Sequence, residues 1–213
     1  MSLAALTKHA SQHFLADFGT LPARPADGVG EGTLVLLGPA EPGFWTHVTA
    51  EPEFRDGEPD PLDRWSLRII SDLAATVDGV PLFPFGEPLR PFFTWAIRSG
   101  RAWQSPVMLL VHDIAGLMVS YRGAILLPGH EKQQSPGRNP CTTCIEKPCL
   151  SACPPRALTG DGYDVDACHA YLDTEAGSTN LLAGCAVRRA CPLSKSYGRS
   201  KAQSAFHMQY FHK

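Results

Sequence analysis

The chain has 213 residues, 44% hydrophobic and 19% charged, which suits one or two folded domains and excludes a disordered chain. Its formal net charge of -2 gives no bulk attraction to a polyanion, so a nucleic-acid partner is not expected. Nineteen prolines and nineteen glycines imply many turns and short regular elements.

The first residues, MSLAALTKHASQHFLADFG, are interrupted by Lys8, His9 and His13 and offer no apolar core of the secretory kind. No apolar run is long enough to span a bilayer; the run around Pro106–Val111 is strand-sized. The expected compartment is the cytoplasm, without a membrane partner. Thiols stay reduced there, and seven cysteines, an odd number, also argue against a disulfide framework.

In chain order, Leu3, Leu6, His13, Phe14 and Phe18 predict an amphipathic helix over residues 3–17, stopped by Gly19. Residues 33–37 (TLVLL) predict a short buried strand ending at Gly38-Pro39. Asp60-Pro61 opens a second helix, with Asp60 as cap, Pro61 at the first position and an apolar face of Leu62, Trp65, Ile69 and Leu73. Pro91 begins a shorter helix through Phe92, Trp95 and Ile97, closed by Gly100. Residues 107–111, 117–121 and 124–127 read as three closely spaced strands of an antiparallel meander. Trp45, Trp65, Trp95 and Trp103 are expected in the core, with cofactor-pocket walls as the other reading. His112-Asp113 is expected in a solvent-facing turn. This region contains no GxGxxG, no P-loop and no serine elbow.

All seven cysteines lie between 141 and 191. The polar segment 130–140, with two prolines and a glycine, reads as a linker, so the expected domains are 1–130 and 131–213. The first set, Cys141, Cys144, Cys149 and Cys153-Pro154, has the spacing C-x2-C-x4-C-x3-C-P, two residues longer than the bacterial ferredoxin run. The second is Cys168, Cys185 and Cys191-Pro192. A C-x2-C turn brings two sulfurs to one side, and a proline after the last cysteine turns the chain away. A single zinc site, or a zinc-stabilised binding module, uses fewer cysteines than are present here.

The two Cys-Pro exits resemble the halves of a two-cluster ferredoxin. The resemblance implies that Cys141, Cys144, Cys149 and Cys191 hold one [4Fe–4S] cluster and that Cys153, Cys168 and Cys185 serve a second site. Arg188 stands where a C-x2-C partner of Cys185 would fall. The second site is therefore open between a [3Fe–4S] cluster, a [4Fe–4S] cluster completed by His169, Asp173 or Asn180, and no cluster. His207 and His212 are weaker candidate ligands.

No Asp or Glu occurs from Gly177 to Lys213, whereas Arg188, Arg189, Lys195, Arg199, Lys201 and Lys213 do. A solvated basic face offsetting cluster charge is the expected reading, with a patch for an acidic electron donor or nucleic acid as the other. The aromatic segment 206–212 is expected to dock on the core.

The run Cys141–Pro154, then Asp166-Ala-Cys168-His-Ala-Tyr171-Leu172, Gly184-Cys185 and Cys191-Pro192, resembles the ferredoxin-type module of epoxyqueuosine reductases. No helical-repeat extension follows, so a transfer-RNA substrate is not expected. Residues 60–64 (DPLDR) and 116–129 (GLMVSYRGAILLPG) resemble segments of cobalamin-processing proteins, which have a nitroreductase-like α+β fold. Together these imply an α+β fold: a nitroreductase-like domain able to take a corrinoid or flavin, followed by a ferredoxin-like two-cluster module. The implied activity is electron transfer from a redox partner protein to a cofactor or small-molecule substrate. A ferredoxin-like carrier without enzymatic activity is the alternative. No catalytic or cofactor-contacting residue follows from the sequence.

Overall fold

The computed structural model describes residues 3–131 and 135–212. In chain order the regular elements are α1 (Leu3–Gln12), β1 (Leu15–Pro22), β2 (Thr33–Pro39), α2 (Phe44–Thr49), α3 (Pro61–Ala75), β3 (Val80–Leu82), α4 (Phe92–Arg98), β4 (Ala102–Gln104), β5 (Leu110–His112), β6 (Gly123–Leu127), α5 (Val165–Leu172), α6 (Ser178–Ala183), α7 (Ala186–Ala190), α8 (Pro192–Ser196) and α9 (Lys201–Phe211), with short 3₁₀ turns between them. The architecture is mixed α+β with small antiparallel sheets. Among the described residues no helix is long and apolar enough to cross a membrane.

The chain forms two compact units that are not contiguous in sequence. One is Met1–Arg101 with Ser120–Gly137; the other is Ala102–Val119 with Arg138–Lys213. This differs from a simple division at 130/131. Residues 102–119 pack with the cysteine segment because Val107, Val111 and Leu117 share a buried cluster with Cys149, Leu158 and Val187.

In the first unit a four-stranded antiparallel sheet runs β1-β2-β6-β3. The central strands β2 and β6 are buried along their whole length, which is why both read as continuous apolar runs. Helix α3 packs on β6 and β3 through the expected face, Leu62, Trp65, Ile69 and Leu73, joined by Ile70. Asp60 precedes α3 in the left-handed region (φ 52°) and its side chain makes no cap; its carbonyl accepts from the Asp63 and Arg64 amides instead. The Arg122 guanidinium donates to Asp63 at 3.3 Å, tying α3 to the entry of β6. Thus residues 60–64 meet the entry of β6 in the fold.

Three expectations are corrected here. The first helix ends at Gln12 and residues 15–22 form β1, because Phe14 turns left-handed (φ 54°) and the chain then finds a ladder partner in β2. Gly19 is a bulge within β1 rather than a helix stop. Asp17 holds the bulge by accepting from the Gly19 amide (2.7 Å) and the Thr20 hydroxyl (2.9 Å), and a Cβ at Gly19 would lie 2.4 Å from Ser99 Oγ. The meander does not form: residues 117–121 are not a strand, β5 pairs with β4, and β6 pairs with β2 and β3. Long-range partners, invisible to local pattern, decide these pairings.

Trp65 and Trp95 are fully buried, while Trp45 is half-buried against Phe54. Trp103 belongs to the second unit, packed against its core. The expected linker lies partly at residues 132–134, outside the described residues; Gly137 is tied to the Gly100 carbonyl by its amide. His112 is not solvent-facing. It is fully buried, and its Nδ1 accepts from the Ile114 and Ala115 amides, so it closes the turn after β5 from inside.

Candidate metal centre

The cysteine unit is held by turns rather than by long elements. Cys141 and Cys149 each ride on a one-turn 3₁₀ helix opened by a proline, Pro140–Thr142 and Pro148–Leu150. Proline suits that place because the first amide of a helix has no partner to lose. The Asn139 side chain accepts from the Cys141 amide at 3.0 Å and fixes the entry. The two residues by which this spacing exceeds the ferredoxin run fall at Lys147, left-handed at φ 40°, and Pro148. Cys185 and Cys191 flank α7, one at each end, and Pro192 then starts α8.

These turns bring Cys141, Cys144, Cys149 and Cys191 around one open-mouthed cleft. Its other walls are mostly apolar, from Val111, Leu117, Pro148 and Leu193, with Lys147 among the lining groups. Burial pushes the Cys141 thiol up to about 11, and the neighbouring Cys149, Cys191 and Cys144 add to the shift. Cys149 is raised by the same two causes, burial first. Four thiolates therefore cannot share this cleft without a compensating positive centre.

The wall also contains Ser105, 5% exposed, whose hydroxyl oxygen is buried and has no hydrogen-bond partner. A buried hydroxyl left unpaired is costly unless something in the cleft accepts from it. Nothing in the local sequence marks Ser105, which arrives from the loop between β4 and β5. Only the packing of residues 102–119 with the cysteine segment puts it there.

The other three cysteines form a second group. Cys168 lies within electrostatic reach of Cys185 and Cys153, and its thiol is raised by burial. The Leu158 amide donates to Cys153 Sγ at 3.4 Å. Tyr163 is a neighbour of Cys168 and Cys185, and Arg188 is close to both Cys185 and Tyr163. Burial lowers Arg188 despite those neighbours. Arg188 Nη1 donates to the Leu117 carbonyl.

The other candidate ligands are engaged elsewhere. His169 Nδ1 lies 2.9 Å from His212 Nδ1, and His212 Nε2 lies 2.9 Å from Asp173 Oδ1. Asn180 Oδ1 accepts from Arg189 at 3.3 Å. Helix α9 docks on α6, and Phe211 stacks on Tyr163. The basic tail is not a solvated face throughout. Arg188, Arg189 and Arg199 donate to the carbonyls of Leu117, Gly184 and Met118, while Lys195 and Lys201 are exposed and Lys213 lies outside the described residues.

Among the described residues, no group of three or more His, Cys, Asp or Glu is placed to hold a single metal ion. A four-iron cube spreads its thiolates more widely, one to each iron corner, and four soft thiolates around an apolar cleft with an orphaned hydroxyl suit that donor pattern. The chain matches no protein-family model and no curated protein sequence.

Proposed function

We propose that this is an iron–sulfur electron-transfer protein of reductase type, delivering electrons to a cofactor or substrate held by the amino-terminal unit. The observation that supports this best is the convergence of Cys141, Cys144, Cys149 and Cys191 on one apolar cleft. Those four would hold a [4Fe–4S] cluster, which when bound supplies reversible one-electron transfer. Cys153, Cys168 and Cys185 would hold a second iron–sulfur cluster, of the [4Fe–4S] or [3Fe–4S] type. Val111, Leu117 and Leu193 limit water in the first site, Ser105 supplies a hydroxyl donor, and the Leu158 amide donates to a sulfur of the second. Hydrogen bonds to sulfur raise the potential of such a centre, while restricted solvent access lowers it, so the balance of the two sets the value.

The amino-terminal unit is α+β, and its two family-like segments are joined by the Arg122–Asp63 pair. That supports a nitroreductase-like domain that takes a corrinoid or flavin, with the centres as its electron source. The electron donor is a redox partner protein, and the expected compartment is the cytoplasm.

Anaerobic purification with quantification of iron, sulfide and zinc, combined with electron paramagnetic resonance, tests the reading. Stoichiometric iron and sulfide are expected. Zinc without iron would overturn the proposal. Titration of the reduced protein with a corrinoid and with a flavin then separates a reductase from a plain carrier, which would bind neither.

A further inference from the structure

Arg188 stands at the position where a C-x2-C partner of Cys185 would fall. We propose that Cys153, Cys168 and Cys185 hold a three-iron [3Fe–4S] cluster, with the open corner facing the Arg188 guanidinium and the Tyr163 hydroxyl. This rests on reading residues 141–191 as an iron–sulfur module, and it decides what the second site takes.

Three observations carry it. First, the groups placed beside the three cysteines are Tyr163 and Arg188, not a histidine or a carboxylate. His169, His212 and Asp173 are joined to one another at 2.9 Å, and Asn180 is held by Arg189. Second, a guanidinium has five N–H donors and no acceptor, and it stays protonated. It cannot ligate iron, and its charge opposes a fourth iron cation at that corner. Arg188 lies on α7, three residues beyond Cys185, which caps the start of that helix. The Leu117 carbonyl takes one donor and holds the side chain in place. Third, a cluster that lacks its fourth iron exposes sulfides at the open corner. Those are hydrogen-bond acceptors, and donors are what Arg188 and Tyr163 provide. The same pair would oppose an iron corner and complement a missing one.

The full-length chain, purified anaerobically, tests this by stoichiometry and spectroscopy. About seven irons and about eight sulfides per chain are expected, four irons from the first site and three from the second. The protein as isolated, without reductant, should show the paramagnetic signal of an oxidised three-iron cluster. Arg188→Cys should add about one iron, leave sulfide unchanged and abolish that signal. Tyr163→Phe should leave the iron count unchanged, because the phenol is a donor and not a ligand. Incubating the wild type with ferrous iron and reductant should not complete the cluster. About eight irons in the wild type with no three-iron signal, or about four, would overturn this proposal and leave the iron–sulfur reading standing. So would ready uptake of a fourth iron. Absence of both iron and sulfide would instead overturn the reading on which it rests. The wild-type counts and Tyr163→Phe decide the matter even if Arg188→Cys does not fold.

Discussion

Asp27 shows how much one buried carboxylate can hold. Its Oδ1 accepts from Trp95 Nε1 at 2.9 Å and from Arg98 at 2.6 Å, and its Oδ2 accepts from the Arg24 amide at 2.7 Å. Burial by itself would raise this carboxyl. The hydrogen bonds from Arg98, the Arg24 amide and Trp95 outweigh it, so the group titrates below the usual 3.8. A carboxyl lowered on folding contributes stability above its unfolded value and loses it as pH falls through the folded one. Stability of the amino-terminal unit should therefore be flat in this respect above about pH 4 and decline below it. Asp27→Ala leaves the Arg98 charge and the indole N–H unpaired and should cost about 3 kcal/mol, read by denaturant unfolding at pH 7. The acid decline should shrink in the same variant. Ser105 is a residue-scale case with a different readout. Ser105→Ala should retain full iron and lower the midpoint potential of the first centre in a redox titration; an unchanged potential would remove Ser105 from the site.

At the scale of elements, the cysteine unit depends on how residues 112–119 meet α8. Gly116 is left-handed (φ 57°), and a Cβ there would lie 2.6 Å from the Ser194 amide nitrogen and 3.0 Å from Leu193 Cβ. The buried Ser194 hydroxyl accepts from the Leu117 amide at 2.9 Å on the same contact. Gly116→Ala should push α8, and with it the Cys191-Pro192 junction, away from that turn. A loss of about 2–3 kcal/mol from combined backbone strain and overpacking is expected, measured on the iron-loaded protein. The same glycine opens the segment 116–129. In this fold its structural duty lies in the cysteine unit, while Ser120 to Gly129 serve the sheet.

At the scale of the whole molecule, the two units differ in what holds them together. The first has a sheet with two fully buried central strands and the large side chains Trp65, Trp95 and Phe18 in its core. The second has a small apolar cluster with Cys141, Cys153, Cys185 and Cys191 packed against it. Its folding should therefore be coupled to metal loading. Removal of iron by a chelator under reducing conditions should abolish hydrogen-exchange protection in residues 138–212 and leave β2 and β6 protected. Cys141→Ser should lose about four irons per chain and show the same selective loss of protection. Uniform protection after complete iron removal would show that the second unit stands without its centres.

The sequence by itself determined the α3 face, because four apolar residues at helical spacing can be buried together by one helix alone. The proline-opened turns at Cys141 and Cys149 are local as well, whereas the meeting of Cys191 with them on one cleft joins segments about forty residues apart. The spacing of Arg188 from Cys185 was likewise legible. Only the tertiary structure decided that residues 15–22 are a strand, that residues 102–119 belong with the cysteines, and that Ser105, Tyr163 and Arg188 stand beside them. The strand, the placing of residues 102–119 and the position of Ser105 each depend on a partner distant in the chain. Ladder pairing, the burial of Val107, Val111 and Leu117, and the anchoring of Arg188 on Leu117 form only when remote segments meet, so no local pattern encodes them.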